Sequence, residues 1–389
     1  MASAIIVTDT KFTFTVVAMR ILKKTAGLLI GTVLCASLLS SCALVDKIFG
    51  KDEPPPEPQH THEWGAWITE IAASCDAGGQ ENRFCACGER ETRTFDATGA
   101  HLLGSDNACV YCRDPLQPSE GLAFEALTAT TCQLLSIGTA KGPQIVIPYT
   151  HEGMTVTQIG AEALKDQTAI TNVILPNGVK IIDESAFSGC TALQSVAIPT
   201  ATTNIYASAF SGCFNLSSVN FGTGSKLKTI GKTAFYCTDL RTVDFGDNSA
   251  LRTIGDSAFF CCLNLSSIRF GENSKLTTVG PYSFNSCSSL TTVVLPDTVT
   301  SIQTYAFYDC KNLNTVILPK NLRSIAKFAF YLCDSLSSIY YCGSVNDWER
   351  ISISDDVGRF FDNATIYYYS ETEPAPGNFK YWHYAPTPW

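Results

Sequence analysis

The sequence has 389 residues, of which 45% are hydrophobic and 16% are charged, so it can bury a sizeable core and wholesale disorder is excluded. Its formal net charge of -9 argues against a nucleic-acid-binding protein, because such proteins usually present a basic field. Five histidines leave little room for an imidazole-rich metal or acid–base centre, whereas 17 cysteines are far more than a typical cytosolic enzyme contains.

The N-terminal segment has the features of an export signal. Three basic residues between positions 20 and 24 precede an apolar run over residues 26–39, which is shorter than the roughly 20 residues of a membrane-spanning helix. This pattern predicts a signal peptide over residues 1–41, and the shape of the signal favours a translation start at Met19. The alternative to a cleaved signal peptide is an uncleaved membrane anchor.

The signal ends in Leu39-Ser40-Ser41-Cys42, which resembles the lipobox of bacterial lipoproteins. The resemblance implies cleavage before Cys42 and lipid attachment to its thiol. Two or more acyl chains anchor a protein stably, whereas one chain alone, at about 0.8 kcal/mol per buried methylene, is marginal. The Pro-rich residues 42–59 are predicted to form a semi-extended spacer.

A small module with its own composition is predicted over residues 60–115. It contains tryptophans and two close cysteine pairs, Cys85/Cys87 and Cys109/Cys112. Four thiolates at this separation can form a tetrahedral zinc site, although C-x-C departs from the usual C-x2-C spacing. Because export favours disulfides, disulfides or free thiols are the preferred interpretation, zinc remains the alternative, and no other cofactor is predicted.

A repeat fills the second half of the chain. The dipeptide Ala-Phe or a close variant recurs every 23 to 25 residues, and one unit lacks a residue between Phe235 and Leu240. The successive copies end at Leu164, Phe187, Phe210, Phe235, Phe259, Phe284, Phe307 and Phe330. Such a repeat predicts a solenoid, in which each unit buries its apolar face against its neighbours.

Each unit also contains the pattern Leu-x-x-Val-x-Ile, as in Leu193, Val196 and Ile198. Its last three positions alternate between inward and outward, which predicts a half-buried strand. A second apolar pair, such as Leu227 and Ile230, precedes the next Ala-Phe.

These motifs resemble the leucine-rich repeats of the BspA-like family, whose unit reads roughly L-x-x-I-x-I-P-x-x-V-x-x-I-G-x-x-A-F-x-x-C. The resemblance covers Val156 to Tyr341 and implies an α/β leucine-rich-repeat solenoid, curved and with a parallel sheet on one side, of about eight 23–25-residue units. The predicted domains are the solenoid with its opening strands over 116–341, a C-terminal cap over 342–370 and a tail over 371–389. The family also implies adhesion at the cell surface and interaction with proteins or other cells.

A cysteine precedes each predicted main strand. The set comprises Cys190, Cys213, Cys237, Cys262, Cys287, Cys310 and Cys333. Disulfides between neighbouring units are disfavoured, because they would join equivalent positions about 4.8 Å apart whose Cβ atoms point the same way. We predict buried thiols packed as small hydrophobic side chains, with disulfides or a metal ladder as the alternatives.

One outward row of the predicted main strands varies from unit to unit and becomes apolar toward the C-terminus. The predicted partner-binding face consists of its members Asp244, Arg269, Val294, Ile317 and Tyr340. An exposed apolar patch of this kind is a candidate contact site. The alternatives are that a cap loop covers the row or that these residues are only good strand formers.

The sequence contains no G-x-S-x-G, H-E-x-x-H or P-loop motif, and no histidine lies between His151 and His383. We therefore predict a non-enzymatic lipoprotein, exposed at the surface of a bacterial plasma membrane or outer membrane, that binds a protein on a host or neighbouring cell. No nucleic-acid partner is predicted. The alternatives are a glycan- or nutrient-capturing surface protein and a structural envelope component.

Overall fold

The protein is a solenoid of short parallel strands. The computed structural model describes residues 68–71, 79–84, 90–95, 101–106, 108–109, 116–222, 224–358, 361, 363–370 and 381–382. All of them belong to one compact unit, Glu63–Trp389. Within these ranges, none of the helices combines the length and the apolar character that crossing a membrane requires.

Twenty-seven strands and one short helix form the regular structure of the described residues. The strands before the repeats are β1 (Ile68–Ile71), β2 (Gly79–Phe84), β3 (Arg90–Phe95), β4 (Leu102–Leu103), β5 (Ala123–Ala126), β6 (Thr131–Ser136), β7 (Gln144–Val146), β8 (Thr150–His151) and β9 (Met154–Ile159). The strands of the repeats are β10 (Asn172–Pro176), β11 (Ile181–Ile182), β12 (Ser195–Ala197), β13 (Asn204–Ile205), β14 (Ser218–Asn220), β15 (Thr229–Ile230), β16 (Thr242–Asp244), β17 (Thr253–Ile254), β18 (Ser267–Arg269), β19 (Thr278–Val279), β20 (Thr292–Val294), β21 (Ser301–Ile302), β22 (Thr315–Leu318), β23 (Ser324–Ile325) and β24 (Ser338–Tyr341). The last elements are the helix α1 (Val345–Trp348), β25 (Ser352–Ile353), β26 (Thr365–Tyr369) and β27 (Tyr381–Trp382).

Each coil contributes one strand to a main parallel stack. That stack runs through β7–β10–β12–β14, then β16–β18, and then β20–β22–β24–β26–β27, while β4 also pairs with β10. The register aligns equivalent residues of successive units, for example Val196 with Val219 and Val316 with Ile339. The predicted main strands are therefore confirmed; the burial pattern alternates from β14 to β24, whereas all three residues of β12 are buried.

The coils also build a second parallel sheet from the apolar pairs that precede each Ala-Phe. Its parallel strands run from β6 and β9 through every odd-numbered strand to β25, and the β5–β6 hairpin covers its N-terminal end. These ten parallel strands correspond to about ten coils, more than the eight units predicted, because the chain on both sides of the clear repeats also winds into the solenoid. Strands β1, β2 and β3 form a separate antiparallel sheet.

The core is a stack of equivalent apolar positions. The core phenylalanines are Phe187, Phe210, Phe235, Phe259, Phe284, Phe307, Phe330 and, in the cap, Phe361. Neighbouring rings stack with centroids 4.8 to 5.4 Å apart, close to the strand spacing of about 4.8 Å. The ring stack thus follows the backbone stack coil by coil.

The segment from two residues before to two residues after each core phenylalanine, here called the arm, is a run of turns. In the arm of Phe259, the φ angles of Ser257 and Cys261 are 54° and 61°. The Phe259 N–H donates to the Ser283 carbonyl of the next coil at 2.8 Å. Backbone groups of the arms are therefore paired between coils, although the arms are not helical.

The two ends of the solenoid are closed differently. At the N-terminal end, Leu103, Val146 and Ile174 form a small buried cluster against which Leu116 packs, and Ala197 in the outward row is only 1% exposed. A covering segment therefore buries the outward row at this end.

At the C-terminal end, α1 begins with a capping box between Ser344 and Asp347. Its Trp348 ring lies 5.3 Å from Tyr341 and 6.2 Å from Phe361. Strand β26 then extends the main stack in register with β24. The cap therefore continues both the core and the sheet.

Candidate functional site

Six cysteine thiols form a buried row beside the core phenylalanines, as predicted. They belong to Cys190, Cys213, Cys262, Cys287, Cys310 and Cys333, all fully buried and not in disulfides. Each thiol donates to the carbonyl of the core residue in the preceding coil, with sulfur–oxygen distances of 2.9 to 3.3 Å. The cysteines therefore supply a hydrogen-bond donor as well as apolar volume.

The assignment of Cys237 to this row is wrong. Thr238 occupies the buried position in that unit, and its hydroxyl donates to the Phe235 carbonyl at 3.1 Å. Cys237 is instead partly exposed and lies in the arm, at the position that Cys261 holds in the next coil. The residue missing from this unit falls after the buried position, so counting back from the next leucine misplaces the cysteine.

Burial keeps the thiols of Cys190, Cys262 and Cys310 protonated. Loss of hydration raises the pKa of Cys190 and of Cys262 to about 12, and it raises the pKa of Cys310 well above its ordinary value. Because the thiolate is the nucleophilic and metal-binding form, these side chains are chemically inert at neutral pH.

The predicted partner-binding residues lie in register on adjacent strands of the main stack. Asp244 pairs with Arg269, and Val294, Ile317 and Tyr340 follow on the three strands from β20 to β24. All five side chains are partly exposed. The structure thus places them in one row, which differs in character between its two halves.

The charged half of the row is occupied by internal contacts. Asp244 accepts a hydrogen bond from the Gly246 N–H at 2.7 Å and pairs with Arg269 at 3.2 Å. Arg269 also pairs with Asp247 at 2.5 Å. Partial burial disfavours the charge of Arg269, but the two carboxylates outweigh it and hold its pKa above the ordinary value. Asp244 and Arg269 therefore stabilise the link between two coils.

The other half of the row forms an apolar strip, defined here as Val294, Ile317, Tyr340 and Tyr367. Tyr367 lies on β26 directly opposite Tyr340, and the two rings stack with centroids 4.7 Å apart. Tyr367 is not among the residues predicted from the sequence, although Thr365-Ile366-Tyr367-Tyr368 repeats the alternation of the preceding strands. The strip spans four neighbouring strands and remains partly exposed.

A depression of 490 Å³ lies near the cap, lined among others by Asp297, Lys320, Arg323, Asp347 and Arg350. Asp347 and Arg350 approach to 3.6 Å. Because side chains of both charge signs line the depression, it favours no single charged ligand.

Several predicted site residues lie outside the described residues. They are Cys42 and three cysteines of the candidate zinc site, Cys85, Cys87 and Cys112. The fourth, Cys109, is buried and forms an isolated bridge with Leu103. Among the residues that the structure describes, no group of three or more His, Cys, Asp or Glu side chains is arranged to hold a metal ion.

The repeats match the model of the BspA type leucine rich repeat region in six copies, over residues 157–276 and 253–355. Together these ranges span slightly more than half of the chain. The chain belongs to the BspA-type leucine-rich-repeat family. No curated protein matches this BspA-type sequence.

Three solved bacterial structures are similar to this BspA-type chain to different degrees. A leucine-rich repeat protein from Bacteroides ovatus is 21% identical with a TM-score of 0.50, and the match covers 64% of this chain and 70% of that chain. A leucine-rich repeat protein of T. pallidum is 23% identical with a TM-score of 0.41, covering 57% of this chain and 90% of that chain. A leucine-rich cell surface protein from Faecalibacterium prausnitzii is 18% identical with a TM-score of 0.26, covering 61% and 97%. The first likeness shows the fold alone.

Proposed function

We propose that this BspA-type protein is a lipid-anchored bacterial surface protein whose solenoid binds a protein partner without catalysis. The observation that carries the proposal is the apolar strip, in which Val294, Ile317, Tyr340 and Tyr367 align on four adjacent strands. A soluble protein rarely leaves aligned apolar and aromatic side chains partly exposed over several strands without a contact to make.

The contrast between the two ends of the row supports a binding role. At the N-terminal end the outward row is covered, with Ile174 fully buried and Ala197 nearly so. The strip at the C-terminal end is partly exposed in the same row. Aromatic and aliphatic residues in such a position resemble the apolar core of a protein interface, which polar residues surround.

Charge on the strip is expected to abolish binding of a protein partner. The variant Val294→Lys/Ile317→Lys introduces two ammonium groups that must be desolvated on contact, so we expect affinity to fall by about tenfold or more. The matched control is Thr242→Lys, which changes a partly exposed strand position in the charged half. Cells displaying each variant are tested against a panel of extracellular matrix and cell-surface proteins, with thermal unfolding as the folding check. Undiminished binding of a correctly folded double variant contradicts the proposal.

A glycan-binding function is the second candidate, favoured by the stacked pair Tyr340 and Tyr367. Sugar rings pack against exposed aromatic side chains in many binding sites, and this pair lies at the end of the strip. A glycan array with the parent protein and with Tyr340→Ala/Tyr367→Ala separates the two candidates. Binding to glycans alone, lost in the double variant, replaces the protein-binding proposal.

The lipid anchor is tested at Cys42. We expect the parent protein to incorporate radiolabelled palmitate and to partition with membranes, because a thiol at the end of a lipobox-like signal accepts the lipid. The Cys42→Ala variant is expected to lose both properties, while Cys35→Ala, a change inside the signal, leaves them intact. Membrane partitioning of Cys42→Ala equal to that of the parent contradicts lipid anchoring.

A further inference from the structure

The arms of the last three clear repeats carry an exposed aromatic cluster that is separate from the apolar strip. It is defined here as the arm cluster and consists of Tyr282, Tyr305, Tyr308, Phe328 and Tyr331. Its first ring row joins Tyr282 to Tyr305 and then to Phe328, with centroids 4.7 and 5.0 Å apart. The second row joins Tyr308 to Tyr331 at 5.8 Å.

The two rows of the arm cluster touch each other. Tyr305 lies 5.3 Å from Tyr308, and Phe328 meets Tyr331 edge to face at 5.4 Å. Tyr282 and Tyr331, at opposite ends, are 37% and 39% exposed, and the three rings between them are partly exposed. The cluster is therefore one continuous surface rather than scattered side chains.

Earlier coils show that the fold does not require these aromatic rings. The position two residues before the core phenylalanine holds Ser185, Ser208, Thr233 and Ser257 in four preceding arms. These residues have the same positive φ as Tyr282, Tyr305 and Phe328, between 51° and 59°. A residue with a small hydroxyl side chain can therefore adopt the same positive-φ conformation, in which a bulky side chain is unusual. The backbone of the arm therefore does not require an aromatic ring at this position.

The charges around the arm cluster favour a cationic partner. The described residues in and beside its arms and in the adjoining cap coil include Asp309, Asp334, Asp355 and Asp356, against the basic residues Lys311, Lys327 and Arg350. Asp309 and Asp356 pair with Lys311 and Lys327, whereas Asp334 and Asp355 form no ion pair with another described residue. The whole chain has a net charge of -9, which attracts basic partners over a longer range.

The cluster already holds one cation of its own. The Lys327 ammonium lies 4.7 Å from the centroid of the Phe328 ring and 2.9 Å from an Asp356 carboxylate oxygen. An ammonium between a ring face and a carboxylate is the geometry by which proteins recognise lysine and arginine side chains. The rings of Tyr305 and Tyr331 adjoin Phe328 and offer comparable faces, and Asp309 directly follows Tyr308 in the chain.

We propose that the arm cluster is a second docking surface, which binds a lysine- and arginine-rich segment of a partner protein through tyrosine rings flanked by aspartates. Tyrosine and arginine are the residue types that contribute most at protein interfaces. The surface lies on the arms, whereas the apolar strip lies on the main stack, so the two sites can act independently.

The test uses the purified full-length protein and three fluorescein-labelled ten-residue peptides, one rich in lysine and arginine, one with glutamate at those positions, and one neutral. Fluorescence anisotropy measures their affinities at low and at physiological salt. The test variant is Tyr305→Ser/Tyr308→Ser/Tyr331→Ser, which introduces the hydroxyl residue that earlier arms carry. The matched control, Tyr206→Ser/Tyr236→Ser/Phe260→Ser, removes three exposed or partly exposed rings from earlier coils.

We expect the basic peptide alone to bind, with an affinity that falls about tenfold or more in the test variant and stays unchanged in the control. The variant Asp334→Asn/Asp355→Asn is expected to bind several-fold more weakly and with a smaller salt dependence. Equal binding of the basic peptide to the parent and the test variant overturns the proposal. So does equal binding of the three peptides, or binding of the parent to chito-oligosaccharides with no binding to the basic peptide.

Discussion

The six buried thiols of the core show what a single residue type does in this fold. Each donates to the carbonyl of the core residue one coil earlier, at 2.9 Å for Cys190 and 3.2 Å for Cys262. A carbonyl has two acceptor sites, so the Leu164 carbonyl also accepts from the Gln167 N–H and the Phe235 carbonyl also accepts from the Thr238 hydroxyl. Cysteine is small enough for the tight space between coils and still provides a donor, which valine or alanine cannot do. The six cysteines of the row therefore reflect the copying of one unit rather than redox chemistry.

At the residue scale, alkaline pH is expected to destabilise the protein through this row. The pKa of Cys190 and of Cys262 is about 12 in the folded state, against an ordinary value of 9.0, so above pH 9 the unfolded chain binds fewer protons than the folded one. The stabilisation is complete below pH 9, and each such thiol lowers the free energy of unfolding by about 1.4 kcal/mol per pH unit as the pH rises from 9 toward 12. Urea unfolding at pH 7, 9 and 10 measures the effect.

The control for this prediction is Cys190→Ser/Cys262→Ser, which keeps a donor of similar shape but does not titrate in this range. Its free energy of unfolding is expected to fall less steeply with pH than that of the parent. The difference in slope equals the contribution of the two missing thiols. Identical slopes for the two proteins would mean that these thiols ionise without unfolding.

The element that organises each coil is the arm with its core phenylalanine. Rings such as Phe235, Phe259 and Phe284 stack 5.2 and 5.3 Å apart, and all three are completely buried. The arm backbone is paired to the next coil by hydrogen bonds such as that from Phe259 to Ser283. Ring stacking and backbone pairing therefore favour the same spacing between coils, so the two interactions do not compete.

At the element scale, Phe259→Ala is expected to destabilise the protein by about 3 to 5 kcal/mol, because it leaves a cavity in the middle of the ring stack. The neighbouring Phe260 points outward, is partly exposed and stacks on Tyr236 at 5.2 Å. Phe260→Ala is therefore expected to cost about 1 kcal/mol or less. Chemical denaturation of both variants measures the difference, and equal losses would show that the ring stack does not carry the core.

At the scale of the whole molecule, stability depends on closing an otherwise open stack. The N-terminal end is covered by the β5–β6 hairpin and by the cluster around Leu103 and Ile174. The C-terminal end is covered by Trp348 and Phe361, which pack over the last full coil. Exposed strand edges and apolar ends favour association between molecules, so a solenoid needs such caps.

Removal of the cap is the corresponding test. A chain that ends at Gly343 leaves Phe330 and Tyr341 uncovered and exposes the edges of β23 and β24. We expect this truncated protein to aggregate and to unfold at a lower temperature, as measured by light scattering and calorimetry. A chain that lacks only residues 383–389 serves as the control and is expected to match the parent. A soluble cap-less protein with unchanged thermal stability would show that the cap is dispensable.

The sequence by itself determined the repeat, the core rows and the main strands. These features depend on apolar positions within one unit, such as Leu193, Val196 and Ile198, and copying that unit repeats the signal. It also placed Asp244, Arg269, Val294, Ile317 and Tyr340 on one row, because equivalent positions of adjacent units must align.

Only the tertiary structure decided which outward residues have partners and which remain open to contact. Asp244 and Arg269 form a bridge between coils, Tyr367 joins the apolar strip, and Cys237 moves from the core row to the arm. The arm cluster likewise appears only when rings 23 residues apart are stacked. The physical reason is that these contacts join neighbouring coils. A shift of one residue between two units changes which side chains meet, although it leaves the pattern inside each unit intact.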